Sequence, residues 1–400
     1  MRATDWHKLP VSLKELCINT TLRCGQSFRW RKSAEDEWSC ALHGRILSFR
    51  QDANHLHYRA TFPSASASLP TPPSTEDDDT RALIQHYFNL TPNLEQLYEQ
   101  WASADPNFKK RAPKFTGVRI LRQDPWEALI GFICSSNNNI SRISSMVHNL
   151  CRHYGPLIGH LGEDAYHDFP TPEALADPKV EAHLMKLGFG YRAKYIAKTA
   201  RIVAEEKGLA WLEGLCNPES PPFGKPVGEA GELDEGGREG YRKAHDELLV
   251  LHGVGPKVAD CVALFGLGWS ESVPVDTHVW QIAQRDYKFG KGKHSSLTAA
   301  TYKAIANHFR KLWGKEAGWA HSVLFTADLK AFSERLVAKA EIKEEVSIVK
   351  MEPDGESVAE SVKRNTTATK RKVKREADEE ERNLEDLKEN VVKRSRRRKL

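Results

Sequence analysis

The chain contains no CxxC pair, no zinc-ligand spacing and no apolar run long enough to span a bilayer. Its seven cysteines, Cys17, Cys24, Cys40, Cys134, Cys151, Cys216 and Cys261, are scattered, which excludes a compact disulfide scaffold and reads as the reduced thiols of an intracellular protein. The opening stretch MRATDWHKLPVSLKEL lacks the apolar centre of a signal peptide, and Asp5 and Glu15 argue against a mitochondrial presequence. Residues 339–400 are highly charged and almost without aromatics, so they bury too little surface to fold and read as a disordered tail. That tail ends in KRSRRRKL, a run that serves nuclear import or nonspecific nucleic-acid contact, or is simply solvated.

What is present suits two or three domains. The 400 residues are 40% hydrophobic, enough for a sizeable core, and the net charge of +5 fits a nucleic-acid partner without requiring one. SFRWRK, EWSCALHGRILSF and HLHYRAT, between residues 20 and 60, alternate aromatic and branched residues as strands do, with turns near Gly44 and Asn54. A Pro/Ser-rich stretch at 63–79 reads as a flexible insertion, and a Gly/Pro/Glu-rich stretch at 217–240 as a second, disordered one. From Thr80 onward apolar residues recur at three- and four-residue spacing. DPWEALIGFICSSNN predicts a buried helix opened by Asp124 and Pro125, and NISRISSMVHNLCRHYG a helix ended by Gly155. YRAKYIAKTARIVAEEKG predicts another, ended by Gly208, and helices resume from about Tyr241 to about Phe332.

The chemistry concentrates in LLVLHGVGPKVADCVALFGL, two helical stretches joined by a glycine turn. Gly253 and Gly255 permit backbone conformations closed to other residues, and Pro256 suits the first helical position. Amides at that helix start favour an anion such as a DNA phosphate, although a plain turn between two core helices reads equally well. Lys257 sits in the first turn, at the positive end of the helix dipole, the unfavourable end for a cation. Such a placement, with burial, favours the neutral amine, a nucleophile and Schiff-base former. Cys261 lies at i+4 on the same face. The plain alternative is a lysine reaching to solvent above a core cysteine. In SVPVDTHVWQIAQRDY, Asp276 is placed as the cap of a helix over 277–286; a cap fixes one oxygen and leaves the other for a cleft. His278 at that helix start meets a phosphate or only the solvent.

Lys257 in GVGPKVADC followed by Asp276 in VPVDTHVWQIAQRDY resembles the helix-hairpin-helix DNA glycosylases that use a lysine nucleophile. CGQSFRW at 24–30, FICSSNNNISRI at 132–143, GFGYRAKY at 188–195 and AGWAHSVLF at 317–325 narrow the resemblance to the eukaryotic 8-oxoguanine DNA glycosylases. It covers roughly residues 5–332, the two insertions excepted. The resemblance implies an α+β fold: an N-terminal antiparallel sheet domain over 1–117, packed on a mostly helical glycosylase domain over 118–336, with the tail at 337–400. It implies a monomer that binds damaged double-stranded DNA, not membranes, excises 8-oxoguanine and related formamidopyrimidine opposite cytosine, then nicks the strand by β-elimination. It implies no cofactor and no metal. By the same resemblance Lys257 attacks C1′ and Asp276 stabilises the oxocarbenium-like transition state. Asn137, Arg142 and Arg192 contact the orphaned cytosine, and Tyr191 wedges into the duplex. Asn137 reads otherwise as a helix cap. Gly25 offers its carbonyl to the N7 hydrogen that only the oxidised base carries, and Phe325 and Cys261 sandwich the base. Gly253, Gly255 and His278 face the phosphates. The import machinery reads the basic tail, placing the enzyme in the nucleus and a fraction in mitochondria.

One position departs from the family pattern: His321 stands where that pattern has glutamine. A neutral histidine offers one donor and one acceptor in a different shape from an amide, which puts base preference in question. Relatives with an iron–sulfur cluster are excluded, since no cysteine follows Cys261. Monofunctional alkylbase glycosylases keep the aspartate but lack the lysine. A non-catalytic helix-hairpin-helix DNA-binding module with a charged tail would use the same turn and tail; the joint presence of Lys257 and Asp276 speaks against it.

Overall fold

The computed structural model describes residues 1–63, 78–290 and 296–332. Most of the 63–79 insertion and the whole 337–400 tail therefore lie outside the described residues. The first element group is β1 (Arg2–Ala3), β2 (His7–Pro10), a short α1 (Ile18–Thr21), β3 (Arg31–Ala34), β4 (Glu37–Leu42), β5 (Arg45–Gln51) and β6 (His55–Phe62). They form one antiparallel sheet in the order β1-β6-β5-β4-β3, with β2 also on β6. The β4–β5 hairpin turns on His43 (φ 49°) and Gly44 (φ 73°), the pair of left-handed residues that a two-residue hairpin needs. Helix α2 (Thr80–Tyr87) lays Leu83, Ile84 and Tyr87 on the sheet against Trp30, Phe49 and Tyr58.

SFRWRK becomes a strand only from Arg31. Ser27–Trp30 is buried coil whose polar groups are met by side chains and not by a ladder. Gln26 donates to the Arg119 carbonyl (2.7 Å) and accepts from the Leu121 amide (2.9 Å). Arg29, buried, holds Glu127 at 2.7 Å and Asp168 at 3.3 Å. These contacts pin the sheet to the helices.

The remainder is helical: α3 (Leu94–Ala104), α4 (Pro106–Arg111), α5 (Pro125–Ser135) and α6 (Ile140–Tyr154), a hairpin β7 (Leu157–Leu161) and β8 (Asp164–His167), then α7 (Pro172–Ala176), α8 (Val180–Lys186) and α9 (Arg192–Arg201). Helix α9 widens into a π-type stretch that ends at Gly208. After α10 (Leu209–Gly214) come α11 (Glu239–Leu249), α12 (Pro256–Phe265), α13 (Thr277–Tyr287), α14 (Ala299–Trp313) and α15 (Ala317–Asp328). Helix α5 is apolar nearly all round, as the sequence predicts, and buries every residue from Pro125 to Cys134. Asp124 caps it through the Glu127 amide (2.9 Å). Its Phe132 stacks on Phe265 of α12 with ring centroids 5.3 Å apart. Leu94, Trp101, Phe108 and Phe115 belong to this helical core and not to that of the sheet.

The 217–240 stretch corrects the reading of a disordered insertion. It lacks regular structure, yet it is fastened at both ends. Asn217 is buried and bonds to Leu267 and Gly268, and Phe223 packs against the sheet core. Arg238, fully buried, pairs with Glu271 at 2.9 Å and Glu219 at 2.6 Å. Removing one partner of a buried pair such as Arg238–Glu271 costs roughly 3–5 kcal/mol, so composition misled where three charged residues far apart in sequence close a network.

Candidate active site

Helix α12 starts at Pro256 with Gly255 before it, and no side chain caps it, which leaves its first amides free. Of the two turn glycines only Gly253 is left-handed, at φ 82°. A Cβ there would also lie 2.8 Å from the Tyr195 ring. Gly255 has φ −102°, open to any residue, so its expected conformational role is corrected: it is exposed, with open space where a side chain would stand. What it supplies is a bare approach to the helix start.

Lys257 occupies the second position of α12 and is half-buried. Its ammonium donates to the Ser135 hydroxyl at 3.2 Å and sits over the Phe132 ring, 5.5 Å from the centroid. Cys261, one turn on, is buried, and that burial pushes its thiol up to about 12 against the pull of Lys257. The thiol is therefore neutral, which suits Cys261 to packing and not to nucleophilic work. Asp276 caps α13: one carboxylate oxygen accepts from the Val279 amide at 2.9 Å. Its other oxygen takes no hydrogen bond among the described residues, as the two-role reading requires.

Lys257, Asp276, Gly25, Cys261, His321 and Phe325 all line one pocket, with Cys24, Phe132 and Pro274 among the rest of its wall. Its free volume is about 50 Å³, room for a few waters. Phe325 is the half-buried aromatic of the lining, whereas Phe132 and Phe265 are buried. His278, exposed in the first turn of α13, meets the Phe325 ring edge-on at 6.0 Å. Gly25 is left-handed (φ 84°), and a Cβ there would come within 3.1 Å of Ile140.

His321 is 6% exposed, and among the described residues neither ring nitrogen has a hydrogen-bond partner. Burial holds the ring down to about 4; the Asp276 charge and the Gly318 carbonyl pull the other way without prevailing. The ring is thus neutral at ordinary pH, one nitrogen a donor and the other an acceptor, both unspent.

A second group gathers beside the pocket. Asn137 is exposed in a left-handed conformation (φ 47°), and Asn139, not Asn137, caps α6. Arg192 is buried at the start of α9 and donates to the carbonyls of Ser136 and Asn137. Tyr191, 50% exposed, gives its hydroxyl to the Ser136 carbonyl at 2.9 Å, and Arg192 lies 4.5 Å over its ring. Arg142 is exposed and reaches the Gly188 carbonyl at 3.3 Å. The residues expected to face the opposite strand are therefore one cluster. Ser135 and Ser136 were missed: both lie in SSNN beyond the apolar run, and neither type distinguishes a lysine partner from a helix end.

Two family profiles cover the chain in succession: the N-terminal domain of 8-oxoguanine DNA glycosylase over residues 8–129, and the HhH-GPD superfamily of base excision DNA repair proteins over residues 130–315. The N-glycosylase/DNA lyase of Saccharomyces cerevisiae is 36% identical over 354 residues, covering 80% of this chain and 86% of its own. The N-glycosylase/DNA lyase OGG1 of Arabidopsis thaliana is 34% identical over 328 residues, covering 82% and 81%. Among solved structures, the Clostridium acetobutylicum 8-oxoguanine glycosylase/lyase bound to duplex DNA with cytosine opposite 8-oxoguanine is similar at TM-score 0.60 and 26% identity, covering 78% of this chain and 91% of that one.

Proposed function

Because this chain belongs to the 8-oxoguanine DNA glycosylase/lyase family, bifunctional enzymes of base excision repair, we propose that Lys257 and Asp276 carry its two steps and that it prefers 8-oxoguanine opposite cytosine. The observation that carries this reading is the single pocket shared by Lys257, Asp276, Gly25, Cys261, Phe325 and His321. The neutral Lys257 amine adds to C1′ as the glycosidic bond breaks, and the proton that the attacking nitrogen then sheds balances the one taken up by the departing base. Positive charge builds on the sugar at that moment, and the unbonded oxygen of Asp276 is the group poised to stabilise it. Cleavage of the C1′–O4′ bond then opens the sugar: the nitrogen lone pair forms the protonated Schiff base between Lys257 and C1′, and O4′ takes up a proton from water and stays on C4′ as a hydroxyl. The iminium acidifies the C2′ protons; removing one expels the 3′ phosphate and nicks the strand. Ser135, whose hydroxyl accepts from Lys257 Nζ, holds that side chain toward the pocket.

The flipped base lies between Phe325 and Cys261, with stacking worth about 1–3 kcal/mol against an unstacking cost of a few kcal/mol. A carbonyl at Gly25 reads the N7 hydrogen, and ring-opened formamidopyrimidine shares enough of that edge to be excised too. Asn137, Arg142 and Arg192 receive the orphaned cytosine, Tyr191 fills the gap, and Gly253, Gly255 and His278 seat the phosphates. The reading includes a monomer, which the sedimentation of the free protein tests. The basic tail directs it to the nucleus; moving the last residues onto a reporter protein and imaging its distribution tests that part separately.

Borohydride trapping on a duplex with 8-oxoguanine opposite cytosine tests the whole reading. The expected result is a covalent adduct lost in Lys257→Gln. Tight duplex binding with neither excision nor adduct in the unaltered protein would instead support the non-catalytic DNA-binding module.

A further inference from the structure

Behind the base pocket, on the other side of Lys257, a second cavity of about 670 Å³ is lined by Asp260, Val275, Tyr302, Tyr241 and Lys257 itself. Asp260 lies three residues after Lys257 on α12 and is 1% exposed. A buried carboxylate normally finds a cation. Asp260 has none within ion-pair distance among the described residues except the His245 ring at 4.0 Å. It is held instead by hydroxyls: Tyr241 and Ser272 (2.9 Å) on one oxygen, Tyr302 on the other.

Tyr302 does more than satisfy Asp260. Its oxygen also accepts from the Val275 amide at 3.2 Å. A phenol has one proton to give and lone pairs to receive, so both bonds form together. Val275 directly precedes Asp276, whose own geometry is set by the cap of α13. Resting on the reading of Lys257 and Asp276 above, we propose that Tyr302 is a positioning residue: through Asp260 and the Val275 amide it ties the helix that carries Lys257 to the segment that carries Asp276. The two groups belong to elements otherwise separated by a loop, and misplacement by about 1 Å can cost on the order of a hundredfold in rate. Burial and the Asp260 charge both keep the Tyr302 phenol protonated, so the tie holds across the working pH range.

Tyr241 supplies the control. It also gives its hydroxyl to Asp260 but, among the described residues, makes no hydrogen bond to Val275. Tyr302→Phe and Tyr241→Phe each remove one hydroxyl from Asp260, and only the first frees the Val275 amide. Three measurements compare them: melting temperature, single-turnover excision of 8-oxoguanine, and borohydride trapping on a duplex that already contains an abasic site. The last needs Lys257 but no bond cleavage to a base. Both variants should melt lower by similar amounts. Y302F should lose about tenfold or more in excision, against about threefold or less for Y241F, while trapping stays within about threefold in both. Should Y302F not fold, Tyr302→Gln, which keeps a donor and an acceptor, is judged by the same ratio of excision to trapping. Equal excision in the two phenylalanine variants, or a Y302F loss matched by an equal loss of trapping, overturns the proposal. In an Asp276→Asn background Y302F should slow residual excision no further; a full Y302F effect there overturns the route through Asp276. Full activity of Asp276→Asn alone would instead strike the reading on which the proposal rests.

Discussion

In the base pocket polar groups are left open, whereas in the neighbouring cluster most are spent, Arg192 Nε being the unpaired exception among the described residues. His321 keeps two ring nitrogens without partners, and Asp276 keeps one carboxylate oxygen free. Arg192 and Tyr191 give their donors to backbone carbonyls of the Ser136–Asn137 turn. An unpaired buried polar group costs roughly 1–3 kcal/mol, and a ligand that pairs it recovers that cost. The pocket is therefore built to gain from one specific occupant. The cluster is built to hold the left-handed Asn137 and its turn in place before any partner arrives. Discrimination in the pocket should come from chemistry, and at the cluster from shape.

The sharpest break of this contrast is Lys257→Gln. It removes the nucleophile while preserving the helix start, so excision and trapped adduct should both vanish with duplex binding little changed. Robust excision by that variant in single-turnover assays would remove Lys257 from the mechanism. Next comes Asp276→Asn. Asparagine caps as well as aspartate, so the melting temperature should barely move. Excision should nevertheless fall by about 10²–10³-fold, the usual cost of losing a preorganised electrostatic contact. Surviving activity would leave Asp276 a cap and nothing more.

That Lys257 and Asp276 share a pocket was legible through the family resemblance; by itself Lys257 breaks a local rule, a lysine at the wrong end of a dipole, whereas Asp276 reads as an ordinary cap. The helices were legible wherever one stripe is apolar, and α5 and α6 begin and end close to where their caps predict. Three things were not. Strands β7 and β8 are short, and Gly159 breaks the alternation of the first. The 217–240 segment owes its order to Arg238 meeting Glu271, 33 residues on. The Asp260–Tyr302–Val275 tie joins three elements, and no spacing within any one of them announces it.

A smaller effect is expected at the cluster. Arg192→Ala removes the donors that hold the Ser136 and Asn137 carbonyls and leaves those acceptors short of partners. Excision opposite cytosine should slow, and the preference for cytosine over the other three bases should narrow by about tenfold, within the 1–3 kcal/mol that such a loss costs. Measuring single-turnover rates against all four opposite bases decides it: a uniform slowing with unchanged preference would make Arg192 a prop for the fold and not for opposite-base choice.

The least disruptive test concerns His321 and is chiefly one of stability. An exposed histidine would switch near pH 6.5 and weaken base recognition below it. Burial instead holds His321 down to about 4, so the ring stays neutral across the range in which such enzymes are assayed. Excision by the unaltered protein and by His321→Gln should therefore run parallel between mildly acidic and neutral pH. Their stabilities should diverge. In the unfolded chain the ring takes up a proton near pH 6.5; in the folded protein it does so only near 4. Between those values the unfolded state binds more protons, so stability falls as pH falls, by roughly 3 kcal/mol over the full window. Glutamine has no such slope. His148, lowered to about 4 by burial and by Arg31 and Arg29, contributes the same trend to both proteins and cancels in the difference. Denaturant unfolding at steps from pH 7 to pH 4 should show the His321→Gln protein gaining relative stability as the acid increases. A pH-independent difference between the two would mean that the ring protonates in the folded state as readily as in the unfolded chain, and that the pocket is wetter than its packing indicates.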